Sequence, residues 1–292
     1  MVKVLRWVLV VQLLAVAFVA VALEVSTAEP TSAPVPVPVE EPAAARSVFL
    51  VGGGVSCSGT LVGPDVVLTA AHCVRSSSGE LRSPMSAHFE VSRFEPGTLS
   101  IRARLSCRAA RVWTPVAVFE TGSSQDWAVM GLGECRDREG LPTQNPGELY
   151  GYNAVADFGS GQRDGVYVGY PGGTGTVQVL WGRAGYTPPA LRLFRPTSTG
   201  DLACIEGGEI SAGGSGGGLL AADESVAEGE DRVRAGVREV GEGSVVVGVN
   251  NFMALESHAC FRKVDVDIRV AVAAASAGNW PRGTELYAHI GR

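Results

Sequence analysis

The chain has 292 residues, 46% of them hydrophobic and 18% charged, with a formal net charge of −6. That length allows one large all-β domain or two small ones around a packed core, and the acidic balance argues against nucleic acid as a partner. The 38 glycines and 16 prolines predict many turns and few long helices.

In chain order, Lys3 and Arg6 precede an apolar run from Trp7 to Leu23, interrupted by Gln12, and small residues follow at Ser26-Thr27-Ala28. This is the pattern of a signal peptide over residues 1–28, so the remainder is expected to be secreted, extracellular or periplasmic. The 17-residue run also sits near the lower limit of a membrane span, so a retained anchor, and with it membrane attachment, stays open. Residues 29–46 are rich in alternating proline, which suits neither a ladder nor a helix and predicts an extended linker or pro-segment.

The globular domain is expected over residues 47–292. Short β-type runs occur at Val48–Val51, Ser58–Val62, Val66–Thr69, Leu99–Leu105, Trp127–Leu132, Gly165–Gly169, Thr176–Trp181 and Ser244–Val249, with Gly and Pro between them. Such spacing means a sandwich or barrel rather than βαβ units. Asp265 to Ala277 reads as the one helix, with acidic residues in its first turn and Gly278 as a stop. Asp223 to Glu242 is long, acidic and glycine-bearing, and reads as a solvated loop. Six cysteines behind a secretory start favour disulfides, and with no C-x-x-C pair a zinc ribbon has no support.

Three segments carry chemistry: Thr69-Ala70-Ala71-His72-Cys73, Gln125-Asp126-Trp127 and Gly213-Gly214-Ser215-Gly216-Gly217-Gly218. They supply a base, a carboxylate before an apolar strand and a hydroxyl set among glycines. A serine is a poor nucleophile until an imidazole takes its proton, and the imidazole needs an acceptor on its other nitrogen to hold the right tautomer. Each part alone has a bland reading: a satisfied core histidine, a turn aspartate, a Gly/Ser linker. Together, and in the order His, Asp, Ser, they match a triad for acyl transfer. The nucleophile-elbow hydrolases need βα units and the order Ser, Asp, His, and the chain has neither.

Cys57-Ser58-Gly59-Thr60-Leu61-Val62 followed by Val67-Leu68-Thr69-Ala70-Ala71-His72-Cys73 resembles the histidine region of trypsin-like, chymotrypsin-fold serine proteases. The resemblance runs from about Val48 to Ala277. It implies an all-β fold of two packed six-stranded antiparallel barrels with a C-terminal helix, and a serine endopeptidase acting on protein or peptide substrates without metal or organic cofactor. On it His72 is the general base, Asp126 its orienter, Ser215 the nucleophile, and the amides of Gly213 and Ser215 the oxyanion hole. Cys57 and Cys73 would close the loop carrying His72. Among Cys107, Cys135, Cys204 and Cys260 the pairing stays open, Cys107–Cys135 and Cys204–Cys260 being the arrangement that suits a barrel.

Two departures from the trypsin pattern stand out. Gly214 precedes the serine where zymogen-activated members have Asp, and Leu50-Val51-Gly52-Gly53-Gly54 lies too few residues before Cys57 to reach a second barrel, so no trypsin-style terminal insertion is expected. Gly169-Tyr170-Pro171-Gly172 is similar to a segment of the secreted bacterial V8-like group. By position the resemblance puts Glu209 at the base of the specificity pocket and Asn251 and Met253 on its wall, a weak lean toward basic substrates. A second register, Ala235–Gly241, leaves that pocket open. A binding module of protease-like fold without turnover is the competing class, and it usually lacks a triad residue.

Overall fold

The computed structural model describes residues 35–36, 42–95, 100–116, 121–173, 175–186, 202–206, 210–222, 244–253 and 258–287. Strands dominate. β2 (Ser47–Gly52), β3 (Val55–Leu61), β4 (Val66–Thr69), β5 (Met85–Glu95), β6 (Ser100–Trp113) and β7 (Ala128–Asp137) run antiparallel in the order β6-β5-β2-β3-β4-β7, and β6 pairs with β7 to close an N-terminal barrel. The C-terminal barrel closes in the same way. It comprises β9 (Arg163–Gly169), β10 (Gln178–Tyr186), β11 (Leu202–Glu206), β12 (Gly218–Ala222), β13 (Ser244–Met253) and β14 (His258–Lys263), ordered β10-β11-β14-β13-β12-β9 with β9 back on β10, and the two-residue β8 (Ala154–Val155) lies parallel to β13. The fold is therefore two closed six-stranded antiparallel barrels, as expected.

Alternation decides which side chains fill each barrel. On β5, Met85, Ala87, Phe89 and Val91 point inward and are buried. On β6 the buried set is Ala103, Leu105, Cys107 and Ala109, with arginines at 102, 104 and 108 exposed between them. The C-terminal barrel packs Tyr167, Leu180, Leu219, Val247 and Phe261 in its interior. Between the barrels, Phe49 of β2 meets Tyr170, with ring centroids 5.2 Å apart.

Arms cross between the barrels. Val35–Pro36 forms β1, an edge strand on β10 of the C-terminal barrel, a place where a proline without N–H is tolerated. Pro42–Ala45 makes the helical turn α1, and Ala44 is buried. Packing thus starts upstream of Ser47, because proline suits the first helical position and alanines continue it. In the opposite direction, the C-terminal helix leaves the second barrel and packs near β4, where Ser276 lies against Gly63. This helix, α4 (Val266–Ser276, after the short α2 at Ala71–Val74 and α3 at Pro146–Tyr150), is capped by Asp265, whose carboxylate accepts from Asp267 N and Ile268 N. It buries Ile268, Ala271, Val272 and Ala275, one stripe at helical spacing. The chain then adds β15 (Glu285–Leu286) to β6, and Glu285 pairs with the buried Arg75.

All six cysteines are paired: Cys57–Cys73, Cys107–Cys135 and Cys204–Cys260. The second bond joins β6 to β7 and the third joins β11 to β14. No helix among the described residues is long and apolar enough to cross a membrane. Leu50, which opens the segment not expected to serve as an inserted terminus, is a fully buried member of β2.

Candidate active site

β4 leads directly into α2 (Ala71–Val74), one helical turn carrying His72. Its ring is 22% exposed, while Asp126 is completely buried. Burying a carboxylate is tolerable only if its oxygens are bonded. Asp126 Oδ1 accepts the His72 main-chain N–H at 2.9 Å, and Oδ2 accepts both the Gly122 N–H at 2.6 Å and His72 Nδ1 at 2.9 Å. The His72–Asp126 contact fixes the ring's plane and leaves Nε2 facing away from the carboxylate. Arg82 Nε donates to the His72 carbonyl at 3.0 Å and holds the turn from outside.

The loop delivering Asp126 is braced from the other barrel. Arg262 on β14, 5% exposed, donates from Nε to the Ser124 carbonyl at 2.7 Å and pairs with Asp265. Asn251 on β13 donates from Nδ2 to the Ser123 carbonyl at 3.0 Å. The Ser123 carbonyl also accepts from Asp126 N at 3.1 Å. The amide of Asn251, expected on a specificity wall, is thus committed to the Asp126 loop. Met253 ends β13, Glu209 and the alternative register Ala235–Gly241 lie outside the described residues, and so does the loop Asp223–Glu242.

Ser215 sits in the tight turn before β12. Gly213 and Gly216 there have φ of +94° and +88°, conformations that favour glycine. A side chain on Gly216 would also strike Ser58 O and Thr69 Oγ1. The turn is seated on the N-terminal barrel, since Ser58 N donates to the Ser215 carbonyl at 2.7 Å. Ser58 follows Cys57, which is bonded to Cys73, the neighbour of His72, so one short path joins the serine turn to the imidazole. Among the described residues no hydrogen bond joins Ser215 Oγ to His72 Nε2. Such bonds commonly tighten only when substrate is bound. The Gly213 and Ser215 N–H groups donate to no protein acceptor among the described residues, the state an oxyanion site requires.

Cys57, His72 and Cys73 bring three ligand-type atoms within 4.8 Å of one another. The two sulfurs are bonded to each other, so no thiolate is on offer and the cluster does not fit a metal. Ser58, Tyr167 and Arg262 were not singled out by the sequence. Ser58 and Arg262 act through bonds to backbone carbonyls across the barrel boundary, which leave no trace in spacing.

Two closed barrels, an imidazole–carboxylate pair on one and a serine turn on the other, define the class of chymotrypsin-fold serine proteases. The trypsin-like peptidase domain family matches residues 57–227, and the chain belongs to that family. It is an enzyme of the serine endopeptidase type. Among solved structures it is similar to a Glu endopeptidase in complex with MPD, at 18% identity over 84% of this chain and 96% of that chain, TM-score 0.59. It is similar also to the protease Anisep from Arthrobacter nicotinovorans, at 17% identity over 79% of this chain and 94% of that one, TM-score 0.56. These likenesses concern the fold. No curated protein matches the chain.

Proposed function

We propose that the protein is a secreted serine endopeptidase that cleaves peptide bonds through an acyl-enzyme, with His72, Asp126 and Ser215 as its triad. His72 Nε2 takes the proton of Ser215 Oγ as the hydroxyl attacks the scissile carbonyl. Asp126 keeps Nδ1–H bonded and stabilises the imidazolium that forms. The carbonyl oxygen, now an anion, is received by the N–H groups of Gly213 and Ser215. The imidazolium returns its proton to the leaving amine, and water releases the acyl group by the same route. The observation that carries this reading is the buried Asp126 carboxylate held at 2.9 Å from His72 Nδ1, beside a serine turn whose two candidate oxyanion amides are unengaged.

Export is supported by the charge, apolar run and small-residue site over residues 1–28, and by three disulfides, which persist in oxidising compartments. The mature domain includes residues 35–36 and 42–45, since β1 pairs with β10 and Ala44 of α1 is buried. Substrates are proteins or peptides. Labelling the secreted protein with a fluorophosphonate probe tests the proposal: wild type is labelled and Ser215→Ala is not. A folded, disulfide-bonded wild type that takes up no probe would count against an activated serine and return the binding-module reading.

A further inference from the structure

Resting on the catalytic reading above, the geometry points to a carbonyl clamp on the serine turn, with the Tyr167 hydroxyl as the positioning group for the Ser215 amide of the oxyanion site. Three successive carbonyls of that turn accept bonds from outside it, and Gly214 O accepts a second one from Gly217 N at 3.1 Å within the turn. Gly172 N donates to Ala212 O at 2.5 Å. Ser58 Oγ donates to Gly213 O at 2.8 Å. Tyr167 OH donates to Gly214 O at 3.1 Å. Ser58 and Tyr167 are both fully buried, and Ser58 Oγ is itself held by Tyr170 N at 2.7 Å.

A trans peptide is planar, with its C=O and the following N–H on opposite sides. Fixing the Ala212 carbonyl therefore aims the Gly213 N–H, and fixing the Gly214 carbonyl aims the Ser215 N–H. Those are the two oxyanion donors. The middle carbonyl, Gly213, shares its plane with Gly214 N–H, which is spent internally on Ser211 O at 3.1 Å. A bond accepted by a carbonyl also polarises the amide and strengthens its N–H as a donor. The Tyr167 hydroxyl thus both aims the Ser215 amide and sharpens it. Burial pushes its phenol well above the usual range, so it stays a donor across the working range of pH.

Room for this tyrosine is made by glycines. A Cβ on Gly214 would lie 2.8 Å from Tyr167 OH and collide with Ile210, one on Gly217 would lie 2.5 Å from the Tyr167 ring, and one on Gly169 would collide with the hydroxyl. Gly214 stands where zymogen-activated relatives carry the aspartate that meets a new N-terminus. An acid side chain cannot enter here without expelling Tyr167 or Ile210. Tyr167 and Gly214 are therefore a matched pair that sets the turn without a terminal amine.

The test compares Tyr167→Phe with Ser58→Ala in the full secreted protein, using p-nitrophenyl acetate in pre-steady-state bursts, phenylboronic acid as a tetrahedral adduct, and thermal unfolding. Complete loss of an oxyanion donor costs about 10²–10³ in rate. A misaimed one in Tyr167→Phe is expected to slow acylation by about 10–10²-fold, with ester dissociation constant within about twofold and boronate affinity falling by the same factor as the rate. Ser58→Ala removes a bond to the plane that carries no oxyanion donor, together with the Ser58 hydroxyl's own contact to Tyr167, and leaves the Tyr167 bond to Gly214 O in place. It should lose at least as much thermal stability as Tyr167→Phe yet less acylation rate. A purely structural tyrosine predicts the reverse ranking, the rate following stability, and that result overturns the clamp. Absence of a Ser215-dependent burst in wild type would sink the catalytic reading itself, whereas a wild-type burst with Tyr167→Phe acylating at the same rate sinks the clamp alone. Should Tyr167→Phe fail to fold, 3-fluorotyrosine at 167 keeps the ring and makes a stronger donor. Faster acylation with unchanged dissociation constant then supports the clamp, and an unchanged rate overturns it.

Discussion

In the N-terminal barrel the two candidate groups are held side chain to side chain: the Asp126 carboxylate accepts three N–H groups, two of them from His72 itself. In the C-terminal barrel Ser215 is held through its backbone alone, by bonds to the carbonyls of residues 212 to 215. The difference has a physical cause. An imidazole must be kept in one tautomer and one plane, which another side chain can do directly. An oxyanion site is made of main-chain N–H groups, which can be aimed only by fixing peptide planes. Each barrel also leans on the other. Arg262 and Asn251 brace the Asp126 loop from the second barrel, and Ser58 seats the serine turn from the first.

The hardest blow to the first arrangement is Asp126→Asn. The amide keeps the volume but presents N–H where two donors already converge on Oδ2, and it stabilises the wrong tautomer of His72. kcat is expected to fall about 10⁴-fold with little change in KM, measured by steady-state hydrolysis after a burst titration of active sites. A loss under tenfold would mean that Asp126 does not orient the base. The matching blow to the second arrangement is Gly213→Ala. At φ +94° a Cβ costs about 1–2 kcal/mol of strain, and relief by rotating the peptide withdraws one oxyanion donor. The expected loss in kcat is about 10²–10³-fold. If kcat stays within a factor of three, the Gly213 amide is not a donor to the reacting oxygen.

The brace between the barrels is probed by Arg262→Met, which keeps the stem but leaves the Ser124 carbonyl without its buried donor and Asp265 without its guanidinium. About 2–3 kcal/mol of stability should go, within the range for losing hydrogen bonds made by a charged group, read as a shift in the urea midpoint at constant slope. Activity should fall less than in Asp126→Asn, because His72 and Gly122 still hold the carboxylate. An unchanged midpoint would show that Arg262 is not a strut.

The same contrast explains what could be read before the structure. The three candidate segments and the C-terminal helix are legible because they rest on side-chain types at fixed spacings; spacing alone gives a sandwich or barrel, and the two six-stranded barrels follow from the resemblance of the histidine region. β5 was passed over although Met85, Ala87, Phe89 and Val91 alternate cleanly, since Ser, His and Glu between them mask a strand of mixed composition. β14 was passed over for the opposite reason: Ala259, Cys260 and Phe261 are all buried and show no alternation. Residues 29–46 read as an extended linker or pro-segment, and within them the structure has an edge strand at Val35–Pro36 and an alanine turn at Pro42–Ala45, because a proline-rich segment can still pair at an edge where no N–H is needed. The brace and the clamp were invisible. Both join a side chain to a distant carbonyl, and any residue can offer a carbonyl.

The smallest predicted effect separates the barrels by pH. His88 lies on β5 inside the N-terminal barrel, 9% exposed, with Nδ1 2.9 Å from Ser106 Oγ and Nε2 3.0 Å from Ser86 Oγ. Two hydroxyls can serve a neutral ring, one as donor and one as acceptor, but among the described residues no carboxylate is bonded to it to meet a charged one. Burial therefore lowers its pKa from 6.5 to about 4. The unfolded chain takes up its proton as pH falls through 6.5, while the folded protein does not until about 4. Stability is thus complete above that window and declines through it, by about 2 kcal/mol between pH 7 and pH 5. His88→Gln keeps partners for both serines and cannot titrate, so urea unfolding at the two pH values should show wild type losing about 2 kcal/mol more than the variant. Equal losses would place the acid-sensitive group elsewhere. The predicted difference places an acid-sensitive group in the barrel that holds the candidate base.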